Sequence, residues 1–313
     1  MLALLVFAAA FPFFGEKYYI DLVMKVMILS VFALSLELLV GQTGLVSFGH
    51  AAFFGIGAYV AALLSPQSEP ASFWILFPAA VAAAGLYALA VGALSLRTRG
   101  IYFIMVTLAF AQMAYYVFHD TKVGGGSDGI YLYFRPEIVI GSVRLLDLSS
   151  PLVFYFFVLA ALLLTFLLLA ALQRSRFGRA LAGIRVNEQR MRAAGFATYP
   201  YRLAAFVIAA MMAGVAGFLY ALKDGYVNPE ILSWHQSGAV LLMIILGGIG
   251  SLRGAVVGAI AFVALQELYQ SQAIFGSFAK HWQLPLGLTI IAFVALMPQG
   301  LIGLGAQLRR RAV

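Results

Sequence analysis

Cysteine is absent from all 313 residues, which excludes disulfides, thiolate nucleophiles and cysteine-ligated metals. Charge is scarce as well. Asp, Glu, Lys and Arg make up 10% of the chain, where a soluble domain carries about a quarter. Twelve acids and twenty bases cannot build a polar shell around a chain that is 63% hydrophobic. No Gly-x-x-x-x-Gly-Lys-[Ser/Thr] phosphate loop occurs, so ATP hydrolysis by that route is excluded. No His-Glu-x-x-His pair occurs either. His119, His235 and His281 fall on separate segments, so neither a catalytic residue nor a metal site is expected.

What fills the chain instead is apolar runs of membrane-spanning length. They do not alternate as barrel strands do. At roughly 20 apolar residues per crossing, about ten helices are predicted. They lie near 1–14, 20–40, 44–64, 72–96, 101–119, 150–172, 202–222, 237–249, 254–270 and 284–305. The fold class is therefore an all-α polytopic integral membrane protein, with residues 1–313 forming one transmembrane domain. The first run ends on Ala8-Ala9-Ala10, which imitates a signal-peptide cleavage site. It lacks a basic start, and Pro12 follows closely.

Lys and Arg set the orientation. Residues 173–202 carry Arg174, Arg176, Arg179, Arg185, Arg190, Arg192 and Arg202 against one acid, Glu188. That loop is expected in the cytoplasm, together with Arg97, Arg99, Arg253 and the tail Arg309-Arg310-Arg311. Both termini then fall inside, and 120–149 and 223–236 fall outside. The net charge of +8 reports this placement rather than a nucleic-acid surface. The glycines of "VGGGSDGI" (123–130) suit a turn. A phosphate cradle would need a lysine and a helix start after them. The outer segment reads as a connector or as a surface that touches a partner.

The stretch "GQTGLVSFGHAAFFGIGAY" (41–59) is oily, small and polar at once. Lipid offers no hydrophobic drive for helix association, so close packing must supply it. Gly41, Gly44, Gly49, Gly55 and Gly57 permit that approach. Gln42, Thr43, Ser47 and His50 need a different reason. An intramembrane ionisable group is a functional candidate, and a neutral histidine bonded to a neighbouring helix is the structural alternative. Glu37 either lines a pathway or pairs with an arginine such as Arg97. Gln112 is a further intramembrane polar residue. "LGGIGSLRGAVVGA" (246–259) repeats the small-residue theme with Gly247, Gly248, Gly250 and Gly254. The two glycine segments face the same side, so they are not an inverted repeat.

Residues 173–206 contain a short amphipathic helix marked by Leu181, Ile184 and Met191, stopped by Gly195. A plain connector needs only a few residues. The element either lies on anionic lipid or docks a cytoplasmic protein.

"RALAGIRVNEQRMRAAGF" resembles the coupling loop of bacterial ABC importer permeases. "GQTGLVSFGHAAFFGIGAY" and "LLMIILGGIGSLRGAVVGA" (241–259), with "GGGSDGI" and "YVNPEILSWHQSG" (226–238), resemble the branched-chain amino acid permease family from about residue 20 to 305. The resemblance implies an ABC importer permease fold in a bacterial inner membrane. It implies a second, different permease, two cytoplasmic ATPases that hold ATP and Mg, and an extracytoplasmic substrate-binding protein. This chain itself would bind no cofactor and contact only these partners and lipid. Arg179, Arg185, Asn187, Glu188, Arg190 and Gly195 become the expected ATPase contacts. Branched-chain or other neutral amino acids are the implied cargo, and urea or short amides are the alternative. A passive small-solute channel is the competing class, although a pore would not require the basic loop.

Overall fold

The computed structural model describes residues 7–140, 143–297 and 300–303. Among them, seven helices are long and apolar enough to cross a membrane. These are α1 (Lys17–Thr43), α3 (Phe73–Ser95), α4 (Ile101–Asp120), α5 (Pro151–Arg174), α8 (Thr198–Asp224), α10 (Leu252–Gln270) and a seventh that opens with α11 (Gln283–Leu296). The last six residues of α1, Leu38–Thr43, form a π-helical turn. Two apolar helices are shorter: α2 (His50–Leu63) and α9 (Trp234–Gly247), each of 14 residues. At 1.5 Å per residue each reaches about 21 Å, short of a hydrocarbon core of about 30 Å.

Of the ten predicted helices, seven correspond to these long ones and two, 44–64 and 237–249, to the half-length helices α2 and α9. For the first run, 1–14, residues 1–6 lie outside the described residues. The rest is a helical turn at 7–10 followed by a 3-10 turn at Phe11–Phe13 that contains Pro12. The Arg309-Arg310-Arg311 tail also lies outside the described residues.

The two short helices reveal a symmetry that the sequence reading missed. α1 and α8 are each 27 residues long. Each ends on a glycine in the left-handed region, Gly44 at φ 71° and Gly225 at φ 65°, a conformation that costs glycine little. A break in the α-helix follows, 44–49 in one case and 225–233 with its 3-10 turn Pro229–Leu232 in the other, and then a 14-residue helix. The two units run in opposite directions. The loop beyond α1 lies at the 173–202 end and the loop beyond α8 at the 120–149 end, with α5 between them. α5 has 24 residues and so spans about 36 Å. The repeat is inverted, and it is built from the helix breaks rather than from the two glycine-rich stretches.

Backbone-close packing joins the halves. A Cβ on Gly57 of α2 would stand 2.7 Å from Gly214 Cα of α8, and Gly217 of α8 lies against the Phe54 backbone. Gly55 leaves room for Leu232 in the same way. α2 and α3 pack on α8, while α9 and α10 pack on α1. Gly247 packs on the Gly254 backbone and Gly258 on the Met243 backbone. Small residues thus do the work expected of them in lipid.

Outside the long helices, 120–149 is folded. Strands β2 (Ile138–Ile140) and β3 (Val143–Leu146) form a hairpin, and β1 (Ile130–Tyr131) pairs with β4 (Tyr226–Val227) beyond α8. At the other end, α6 (Arg176–Val186) and α7 (Glu188–Ala193) make up the basic loop. Ser175 caps α6 by accepting from Gly178 N at 3.2 Å, and Asn187 caps α7 by accepting from Arg190 N at 2.9 Å.

Candidate functional site: the coupling element and the helix breaks

The polar residues of 41–59 sit on the break rather than inside a continuous helix. The predicted helix start near Gly44 is corrected: 44–49 is non-helical and α2 begins at His50. His50 is fully buried. Its Nε2 lies 2.8 Å from Ser35 Oγ, and that hydroxyl donates to Phe32 O at 2.6 Å. With its proton so committed, Ser35 accepts from Nε2–H. Nδ1 is then the bare nitrogen, and it has no hydrogen-bond partner among the described residues. The ring stacks on Phe32 at 5.6 Å between centroids and meets Phe53 edge-on. One residue on, Ala51 N donates to Ser237 Oγ of α9 at 2.9 Å. The first turns of the two half-helices therefore touch each other.

Ser47 is buried and accepts from Gly49 N at 3.2 Å. Gly49 packs so tightly that a Cβ there would stand 2.6 Å from Thr107 O of α4. Thr43 donates to Leu39 O at 2.6 Å and closes the π turn. Gln42 is half-buried beside it. Gln112 lies elsewhere, in a shallow depression on α4 with Ala109, Met113 and Tyr116. Met105, Met113 and Tyr116 are each more than half exposed on that helix. The structure thus gathers Glu37, Thr43, Ser47 and His50 inside the chain and leaves Gln112 on an open face.

Glu37 makes a contact that spacing did not suggest. Its side chain is fully buried, and Oε1 accepts from Gly250 N at 2.6 Å. No ion pair with Arg97 forms among the described residues. The Arg185 guanidinium acts on the carboxylate electrostatically and donates from Nη1 to Gly41 O. A Cβ on Gly41 would stand 3.2 Å from Gly250 Cα. Gly248 and Gly250 hold φ of 112° and 93°. Gly254 lies under this turn, where a Cβ would stand 2.6 Å from Gly248 O. One cluster therefore links α6, the end of α1 and the α9–α10 turn. The two glycine-rich stretches, far apart in sequence, meet on one carboxylate. Arg185, expected to face a partner, is exposed along the element and at the same time turns its Nη1 onto the Gly41 carbonyl.

Glu188 is likewise used internally. Its carboxylate accepts from Arg192 at 2.5 Å and from Thr198 Oγ1 at 3.0 Å. Arg202 stands 3.4 Å away and Arg99 3.5 Å. Burial pushes the Glu188 carboxyl upward, but the Thr198 hydroxyl, Arg202 and Arg192 together outweigh it and hold it below its ordinary value. This node fastens α7 to α8 and to the α3–α4 turn. The outward surface of the element is left to Arg179, Arg190 and Val186, the last 84% exposed. Asn187 and Gly195 are exposed as well, and Gly195 holds φ 87° where the chain leaves α7. An exposed valine in a polar loop was passed over because periodicity marks buried stripes, not contact surfaces.

Seven long apolar helices, two half-helices and an exposed basic element define a multi-pass helical membrane protein. The chain belongs to the family described as branched-chain amino acid transport system / permease component, whose pattern it matches over residues 18–295. It is 32% identical to the high-affinity branched-chain amino acid transport system permease protein LivM of Escherichia coli, over 96% of this chain and 74% of the relative. The corresponding LivM of Salmonella typhimurium is 30% identical with the same coverage. The permease LivH of Escherichia coli is 24% identical over 88% of this chain and 91% of its own. No solved structure matches.

Proposed function

We propose that this chain is one of two unlike permease subunits of an ATP-driven importer of branched-chain amino acids in a bacterial inner membrane. The observation that carries this reading is the inward grip of Arg185 on the Gly41 carbonyl, because it ties an exposed basic loop to the interior of the bundle. A helix resting on lipid would not need such a tie. The 173–202 loop is cytoplasmic, and its exposed Arg179, Val186 and Arg190 dock on one of two ATPases, which hold ATP and Mg. The 120–149 segment is extracytoplasmic and faces a substrate-binding protein. Two unlike permeases are supported by similarity to both LivM and LivH.

Closure of the ATPases moves α6, and Arg185 carries that motion to the break after α1. Glu37 carries it on to the α9–α10 turn. The open face of α4, with Gln112, lines the pathway shared with the second permease. His50 and Ser47 hold the two half-helices in register behind it, so the pathway set splits into lining and positioning residues. The cargo is chosen mainly by the binding protein.

Uptake of labelled leucine into proteoliposomes tests the reading. It should require ATP, both ATPases, the second permease and the binding protein together. Uptake down a gradient without ATP would establish a channel instead. Urea or amide uptake in place of leucine would change the cargo and leave the machine.

A further inference from the structure

The coupling element has a counterpart at the opposite end of the molecule. Gly41 is the third residue from the end of α1, and Leu222 is the third from the end of α8. Both carbonyls belong to the last turn, which has no intrahelical donors. Arg185 Nη1 donates to the first. Arg135 Nε donates to the second at 3.0 Å. Each arginine comes from a segment outside the long helices, and each carbonyl lies just before the left-handed glycine that begins the break ahead of a half-helix.

Arg135 is itself firmly held. Its Nη1 donates to Leu148 O at 2.9 Å, and its guanidinium carbon lies 4.0 Å over the Phe154 ring of α5. Asp21 of α1 acts on it electrostatically. The segment grips the break a second time, since Leu132 N donates to the Gly225 carbonyl at 2.8 Å and β1 pairs with β4 just beyond. Tyr131 and Tyr133, on either side of Leu132, are each 62% exposed. Leu132 between them is buried, so exposed rings and a buried side chain alternate over 131–133, and the grip of Arg135 follows two residues further on.

We infer that segment 120–149 is a second transmission element, in which Arg135 does for the α8–α9 break what Arg185 does for the α1–α2 break. This rests on the importer reading above. Force from a protein docked over Tyr131 and Tyr133 reaches Arg135 and Leu132, shifts the Leu222–Gly225 turn and repositions α9. α9 meets α2 through Ser237 and Ala51, so both inputs converge on the same junction. Arg135 is a positioning residue, since it acts through the α8 terminus rather than on the cargo.

The test uses the complete importer in lipid nanodiscs and compares ATP hydrolysis with and without leucine-loaded binding protein. Arg135→Ala should lower the stimulated-to-basal ratio at least fivefold, whereas Arg135→Lys, which keeps the charge and one donor, should retain part of it. Arg144→Ala, which breaks only the exposed pair with Glu137, should leave the ratio unchanged. A wild-type ratio in Arg135→Ala overturns the inference. A second measurement needs no variant: hydrogen exchange at residues 225–233 of the native chain should change when loaded binding protein is added. Unchanged exchange there also overturns it. If the wild-type complex shows no ATP-driven uptake, the importer reading itself falls, a result distinct from either of these.

Discussion

Glu37 offers the sharpest separation between holding a fold and transmitting a motion. Replacing it with Leu removes the 2.6 Å bond to Gly250 N. An orphaned buried amide costs about 1–3 kcal/mol. Removing a buried carboxylate in favour of an apolar side chain of similar volume returns about 1–4 kcal/mol of desolvation. The two oppose each other, so thermal stability should fall by no more than about 2 kcal/mol or rise by no more than about 3 kcal/mol. Transmission has no such compensation. The link between the α1 end and the α9–α10 turn was a charge-assisted hydrogen bond, worth about 1.5–3 kcal/mol. Its loss weakens the joint movement of the two turns by about 10- to 150-fold at 1.36 kcal/mol per decade. Leucine imported per ATP hydrolysed should therefore fall at least tenfold in Glu37→Leu. Glu37→Gln keeps a neutral acceptor for Gly250 N and should retain more of that ratio than Glu37→Leu does. The double variant Glu37→Leu/Arg185→Ala should be no worse than the worse single variant, because both cut the same chain of contacts. A wild-type ratio in Glu37→Leu, or losses that multiply in the double variant, would refute the reasoning.

Two further predictions concern packing and pH. Gly57→Ala places a Cβ 2.7 Å from Gly214 Cα, where only backbone can yield, and should destabilise by about 1–3 kcal/mol. Gly238→Ala, which meets nothing within 4 Å, should leave the melting temperature unchanged in the same thermal assay. For Glu188, the folded carboxyl titrates below its ordinary value of 4.5. Its clamp on α7 is thus fully present above that pH and is lost as the pH falls through the lower, folded value. Protection of the α7 amides, measured against their intrinsic exchange rate at each pH, should hold at pH 5 to 7 and drop only below about pH 4.5. Glu188→Gln should exchange fast throughout, and a pH-independent slow exchange in that variant would count against the clamp.

The sequence carried the spans well, because spanning length and scarcity of charge leave few alternatives to helices. The boundaries of α3, α4 and α5 fell within a residue or two of their observed ends. The half-helices were harder to read. Residues 45–49 are as small and apolar as the helix they precede, so hydropathy runs on across the break, and only the left-handed backbone of Gly44 marks it. The coupling segment was legible as an element, since basic charge and a short apolar stripe coincide there. The facing of its side chains was not. Arg185 and Glu188 look as exposed as Arg179 in one dimension, and only the fold brings Gly41 and Arg202 to meet them. The partner of Glu37 is 213 residues away and is a backbone amide, which leaves no mark in side-chain spacing. Arg135 was passed over for the same reason: its acceptors are the carbonyls of Leu222 and Leu148.

Broken helices impose a problem that these arginines solve. A helix that stops within the bundle leaves carbonyls without donors, and in lipid nothing else supplies them. Any donor must come from protein, and here it comes from the segments at the two ends of the bundle. On the proposed reading, backbone satisfaction and signal transmission are then met by the same contact. A lysine would satisfy the carbonyl but not fix its direction, whereas the planar guanidinium holds several acceptors at defined angles. Arg135 uses that geometry on Leu222 O, Leu148 O and the Phe154 ring at once. Held at three points, the Arg135 side chain has little freedom to rotate, so on the proposed reading a displacement of the loop carries the helix end with it.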